Sequence, residues 1–329
     1  MALSRFYSGN PPLPTTHIVL MAVIAAAMMA VSGLWEVFPS PEGPMGICLP
    51  SPNLWNITPV IGWSVNTFLL LLCAGAWIFL NKEFTLVKGI DQLTLAAFLM
   101  FVGSNPVCTD SLTTGSILLT VTVLCLAILF GTAHERNCTH QIFAIFTFLS
   151  VGSMFQYAFV LMMPVFFAGA LMMKAMRAKE VVAMLLGIVA PYWVAVGLGL
   201  VELTAFHLPE IHFGFDSVVP VPKRVVLWIN IGLSGLLAAL FSFSNSMVMF
   251  AGNKETRARN NVITMFNVAT LLFIIFNPAN MAAYLPVFYL AFAVQVGNLF
   301  AYHNLPWRRT LLWSFAGLYT IGFIMMLLL

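Results

Sequence analysis

Long apolar runs, cut by short polar stretches, follow one another along the whole chain. A membrane-spanning α-helix needs roughly 20 consecutive apolar residues. On that measure the pattern predicts helices over 17–38, 59–80, 92–102 and 111–132, two within 141–173, and further ones over 181–203, 222–249, 262–276, 284–300 and a last run ending at Leu329, eleven segments in all. The runs are continuously apolar, not alternating, which excludes the short alternating strands of a transmembrane barrel. The run at 92–102 is too short to span unaided and stops at Ser104-Asn105-Pro106, because proline disfavours a helical residue before it. The run over 141–173 is predicted to break near Pro164, as two helices or a kinked re-entrant pair. The charged stretch 253–259 reads as a loop, and Pro222 suits the first turn of a helix. Asn105-Pro106 and Asn277-Pro278 each end a short helix at the same predicted face. Shared helix-stopping chemistry accounts for both, with an internal repeat as the alternative.

Composition turns this pattern into a class. Of 329 residues, 61% are hydrophobic and 8% charged, with a mean hydropathy of +0.97, whereas about a quarter of the residues of a soluble protein are charged. The expected fold is an all-α, polytopic transmembrane helical bundle of about eleven helices, one integral membrane domain over 1–329 with no separate soluble domain. Arg5 precedes the first run, which shows no small-x-small cleavage site and reads as a retained anchor. The net charge of +3 is dispersed over short loops, which excludes a nucleic-acid partner and leaves the lipid bilayer as the expected one.

Charge also orients the bundle, because Lys and Arg near helix ends stay in the cytoplasm. With a cytoplasmic N-terminus, the inner loops receive Arg5, Lys82, Lys88, Arg136, Lys174, Arg177, Lys179, Lys254, Arg257, Arg259, Arg308 and Arg309, twelve of the fourteen cations. Only Lys223 and Arg224 fall outside. The C-terminus is then outside too, and the short loops suggest a multi-pass protein of the bacterial inner (cytoplasmic) membrane.

The stretch 204–224 is the longest polar interruption, with His207, Glu210, His212, Asp216, Lys223 and Arg224. Lys223 and Arg224 open a helix, where the backbone N–H groups and the positive helix end already favour an anion such as a lipid phosphate or pyrophosphate; headgroup anchoring is the alternative. His207, Glu210 and His212 match no standard zinc spacing, and Pro209 interrupts any helix that would bring them to one face, so no metal is expected. Glu36 lies in the last turn of an apolar helix, at a depth where ionisable groups are costly and often functional, with snorkelling to the headgroups as the other reading. Glu42, Asn105 and Asp110 are further polar candidates on the expected outer face. Asn66, Gln156, Asn230, Asn245, Asn267, Gln295 and Asn298 fall within predicted helices, where interhelical hydrogen bonding is the default and lining of a polar cavity the alternative. Cys48 and Cys108 both face the expected oxidising side, which leaves a disulfide between them open. No nucleotide, hydrolase or zincin motif is present, and no cofactor is implied.

The first helix, an outer loop bearing Glu36 and Glu42, the closely spaced short helices around SNPVCTDSLTTGS, the turn at 134–140 and the helix pair ending in KAMRAKE resemble the GT-C superfamily of polyprenyl-dependent glycosyltransferases, as architecture over about 1–203. The SRFYSGNPP start and the KETRARNN to PWRR tail also resemble an uncharacterised family of bacterial multi-spanning inner-membrane proteins. The GT-C resemblance implies a polyprenyl-phosphate-linked sugar donor and a first-loop carboxylate as general base, a position that Glu36 matches with Glu42 second. This sequence departs from that pattern: loop one is short, lacks an adjacent acidic pair, and no outer soluble domain follows. The expected function is handling of a polyprenyl-phosphate-linked glycolipid at the outer leaflet, with glycosyl transfer as its enzymatic form. The alternatives are a lipid or small-molecule transporter or flippase, and a membrane assembly subunit. A polar path between both faces would favour transport, and a filled bundle assembly.

Overall fold

The computed structural model describes residues 15–34, 46–52, 55, 57–87, 91–135, 137–202, 204, 206–207, 221–249, 254–302 and 307–329. It is all-α, with α1 (Thr15–Leu34), α2 (Pro59–Phe84), α3 (Asp91–Gly103), α4 (Pro106–Thr109), α5 (Thr114–Gly131), α6 (Thr139–Phe155), α7 (Ala158–Met172), α8 (Ala178–Gly197), α9 (Val221–Met249), α10 (Lys254–Phe276), α11 (Met281–Tyr302) and α12 (Arg308–Leu328). Among the described residues, eight helices are long and apolar enough to cross a membrane, while α3, α6 and α7 are shorter apolar helices. This is a multi-pass membrane protein.

The bundle is built around α11, in which every residue from Met281 to Phe300 is buried. It packs on α3, α5, α9 and α10. The contact with α5 is a backbone contact: a Cβ on Gly115 would collide with the carbonyl oxygen of Ala282. That carbonyl is the one whose helical partner would be the amide of Pro286, which proline lacks. Aromatic rings fill the space between α3 and α11, with Phe101 stacked on Phe292 at 4.5 Å between centroids and Tyr319 of α12 at 4.7 Å from Phe101. At the other extreme α8 packs chiefly on α6, and its buried residues are only Glu180, Ala183, Gly187 and Ala195.

Two differences from the pattern reading have simple causes. Residues 254–259 are the first turns of α10 and not a loop, since Lys, Glu, Arg and Ala are good helix formers and Arg259 is tied down. Its guanidinium donates to Phe84 O at 3.0 Å, lies over the Phe84 ring and pairs with Glu255 at 3.9 Å, so it caps the C-terminal carbonyls of α2. The break between α6 and α7 falls at Gln156–Tyr157, and Pro164 sits inside α7. Gln156 is extended (φ −157°, ψ 131°), and its side chain bonds to another element of the fold.

Candidate functional site

The helix ends sort onto two faces. On one, which carries most of the described cations, Arg259 ties α10 to the end of α2, Lys179 at the start of α8 donates to Asn137 at 2.6 Å, and Arg308 at the start of α12 donates to Phe300 O at 2.8 Å. The opposite face gathers the polar breaks.

Those breaks sit low in the bundle. At 1.5 Å per residue, α3, α6 and α7, with 13, 17 and 15 residues, reach about 20, 25 and 22 Å, short of the roughly 30 Å hydrocarbon core. Irregular backbone at such depth must be covered by protein and hydrogen-bonded. Asn105 at the end of α3 is fully buried; its Oδ1 accepts from Val107 N at 3.2 Å and its Nδ2 donates to the Tyr289 hydroxyl of α11 at 3.1 Å. Gln156 donates to Asn280, in the turn before α11, at 3.3 Å. Ser32 near the end of α1 lies 2.8 Å from the Thr109 hydroxyl, and Asn66 of α2 donates to Cys108 O at 2.8 Å. Asp110 follows directly as the half-buried C-cap of α4.

Loop one is pinned beside this band. Ile47 N donates to Ser153 O at 3.2 Å, Leu49 N to Met154 O at 2.9 Å, and Gly46 lies so close to Met154 that a Cβ has no room. These bonds satisfy the last carbonyls of α6. His207 joins the same knot through its backbone: its N–H donates to Ile47 O at 2.9 Å and its carbonyl accepts from the Tyr157 hydroxyl. The segment after α8 thus meets loop one, and its histidine is exposed. Burial pushes the Cys48 thiol above its ordinary value, and Cys48 and Cys108 are both free thiols.

Below the knot, α6 and α8 leave an apolar groove of about 370 Å³ lined by Thr147, Val151, Met154, Pro191, Val194 and Leu200, among others. Its cause is local. The helices cross closely at Gly187, where a Cβ would lie 2.7 Å from Phe143 O, and are joined again by Ser153 and the Tyr192 hydroxyl at 2.6 Å. Between those points the small Ala190 and the Pro191 ring leave space.

Of the expected site residues, the structure brings Asn105 and Asp110 into one band with Ser32, Asn66 and Tyr289, and His207 into the knot with loop one. Lys223 and Arg224 occupy the first turn of α9, half-buried. That helix packs chiefly on α10, α11 and α12, so the cation pair is not joined to the groove between α6 and α8. Glu36, Glu42, Glu210, His212 and Asp216 lie outside the described residues. Among the described residues no three His, Cys, Asp or Glu side chains form a metal-ligating group. Pattern reading passed over Tyr289 and Tyr192 because an aromatic in an apolar run looks like core; only the partner of each hydroxyl reveals it. The chain matches no protein-family model, no curated protein and no solved structure.

Proposed function

We propose that this multi-pass membrane protein handles a lipid-linked substrate at the face that carries loop one, and that the substrate class is a polyprenyl-phosphate-linked glycolipid at the outer leaflet of a bacterial inner membrane. The observation that carries the reading is the groove between α6 and α8. Its volume of about 370 Å³ falls in the range of small-molecule sites, roughly 300–1,000 Å³, its lining is apolar, and its end lies beneath the Tyr192, Tyr157 and His207 knot. A prenyl chain fits an apolar slot at a helix pair's outer side, with its head among polar groups. Glu36 is the proposed base, Glu42 the second choice, and Asp110 the carboxylate of the adjoining band. Lys223 and Arg224 open α9 on the same face, away from the groove, and are proposed as ligands for a lipid phosphate at a second point of contact, apart from the head of a lipid seated between α6 and α8.

Native mass spectrometry of protein extracted from membranes tests this. Wild type is expected to retain a polyprenyl phosphate that Ala190→Trp, which fills the groove, loses. Loss in Lys223→Ala/Arg224→Ala as well assigns the cations to the phosphate, and retention there makes them headgroup anchors. If wild type carries no such lipid, or Ala190→Trp carries as much as wild type, the reading fails. Glu36→Gln, with lipid still bound, then separates a transferase from a binding protein.

A further inference from the structure

A polar seam runs through the packed centre of the bundle where α9, α10 and α11 meet, separate from the groove between α6 and α8. It begins with Asn260 and Thr264 of α10, Asn245 of α9, and Gln295 and Asn298 of α11. Asn245 Nδ2 donates to Gln295 O at 2.8 Å and to Gln295 Oε1 at 2.9 Å. Gln295 Nε2 donates to the Thr264 hydroxyl at 3.1 Å, and Asn298 Nδ2 to Asn260 Oδ1 at 3.0 Å. One turn further along α10 comes Asn267, in the stripe Asn260, Thr264, Asn267 and Leu271, whose spacing puts all four on one helix face. Leu271 lies against Gly235 of α9, where a Cβ would sit 3.0 Å away, so the stripe faces the α9–α11 side along its length.

Much of this seam lacks protein partners. Asn245 Oδ1, Asn298 Oδ1, Ser242 Oγ and both polar atoms of Asn267 are buried and bonded to no protein group, and Asn267 is only 3% exposed. Buried polar groups are otherwise nearly always paired, and an unpaired donor or acceptor in a low-dielectric interior is costly. Three helices place such atoms in one seam. They include both acceptors and the amide donor of Asn267, and the seam carries no carboxylate while Arg259 stands at its end. Four of these atoms are oxygens and one is the amide nitrogen of Asn267, so the set fits a ligand that both donates and accepts, as water does. Asn267 lies thirteen residues past Lys254, about 20 Å along the α10 axis, well into the hydrocarbon depth.

We propose that the α9–α10–α11 seam is a water-binding path that leads from the Arg259 face to Asn267, deep in the membrane. Water satisfies Asn298, Asn245, Ser242 and Asn267 in turn, and a hydrated seam is a line along which α9 and α10 separate from α11 at low cost. This inference stands apart from the groove and from the lipid reading.

The test is thiol reactivity in native membranes. Asn267→Cys and the near-isosteric Ser242→Cys are treated with a small methanethiosulfonate reagent, and modification is followed peptide by peptide. Cys125, fully buried in the same protein, is the dry reference. Since the thiolate is the nucleophile and forms only where water reaches the sulfur, both new thiols are expected to react at least about tenfold faster than Cys125. A rate at either position no faster than that of Cys125 overturns the proposal. Asn267→Leu provides a second measure: a hydrated seam loses water contacts and melts no higher than wild type, whereas a clear rise in Tm marks a dry, unsatisfied amide and also overturns it.

Discussion

Helices α8 and α11 have nearly the same length, 20 and 22 residues, and opposite fates. Every residue of α11 from Met281 to Phe300 is buried, while α8 buries four. The more buried helix is not the more apolar of the two: it carries Gln295, Asn298, Tyr284 and Tyr289, while the outer side of α8 shows Val182, Leu185, Leu186 and Val189. In water the opposite would hold. Lipid tails are as apolar as leucine, so the apolar side faces out, and interhelical polar bonds with close backbone contacts hold the middle together.

That contrast breaks most severely at the α5–α11 contact. Gly115→Leu forces a side chain into the Ala282 carbonyl, and the expected outcome is loss of a monodisperse peak in size-exclusion chromatography of detergent extracts. Leu186→Ala on the exposed side of α8 leaves the peak unchanged. A smaller effect comes from Arg259→Gln, which removes the charged cap on α2 and the pair with Glu255; stability in mild detergent should fall by about 2 kcal/mol, the range of hydrogen bonds to charged groups. Tyr289→Phe leaves Asn105 without its partner on α11, and a loss of about 1 kcal/mol is expected for one interhelical bond in a membrane protein. Ser153→Ala, which removes the bond to Tyr192, makes the matching measurement in the α6–α8 pair. If it costs more than Tyr289→Phe, polar bonds matter as much at the periphery as at the centre.

The smallest expected effect is chemical. Burial raises the Cys48 thiol, so less thiolate is present at a given pH than for an ordinary cysteine. Maleimide labelling of Cys48 should therefore be slow at pH 7.5 and speed up as pH rises past 9, with denatured protein as the unshifted reference. Equal rates in folded and denatured protein would remove the claim that loop one is packed against α6.

The apolar runs made the helices legible, down to Pro222 in the first turn of α9. The start of α10 was missed because its two charged turns look like loop, and only the C-terminus of α2 explains why Arg259 is buried there. The break at Gln156 was assigned to Pro164 because proline is the stronger local signal; the partner of the extended Gln156 is Asn280, over a hundred positions away in the chain. Of the candidate site, Asn105 and Asp110 were readable from their helix-stopping neighbourhood. Asn66 was read as a helix amide that bonds between helices, without its partner; Ser32 and Tyr289 were not read, since a serine or tyrosine in an apolar helix carries no sign of what it faces.

The sequence by itself determined the class, the approximate limits of most of the long helices, and the concentration of cations at alternate helix ends. Those follow from hydrocarbon thickness and hydrogen-bond satisfaction, which act on each segment separately. Tertiary structure alone decided which helix is central, that α6 and α8 leave a groove, that loop one meets His207, and that amides on α9, α10 and α11 share one seam. Each of these depends on which side of one helix meets another. Packing of small residues and paired polar groups chooses that side, and hydropathy along the chain is blind to it.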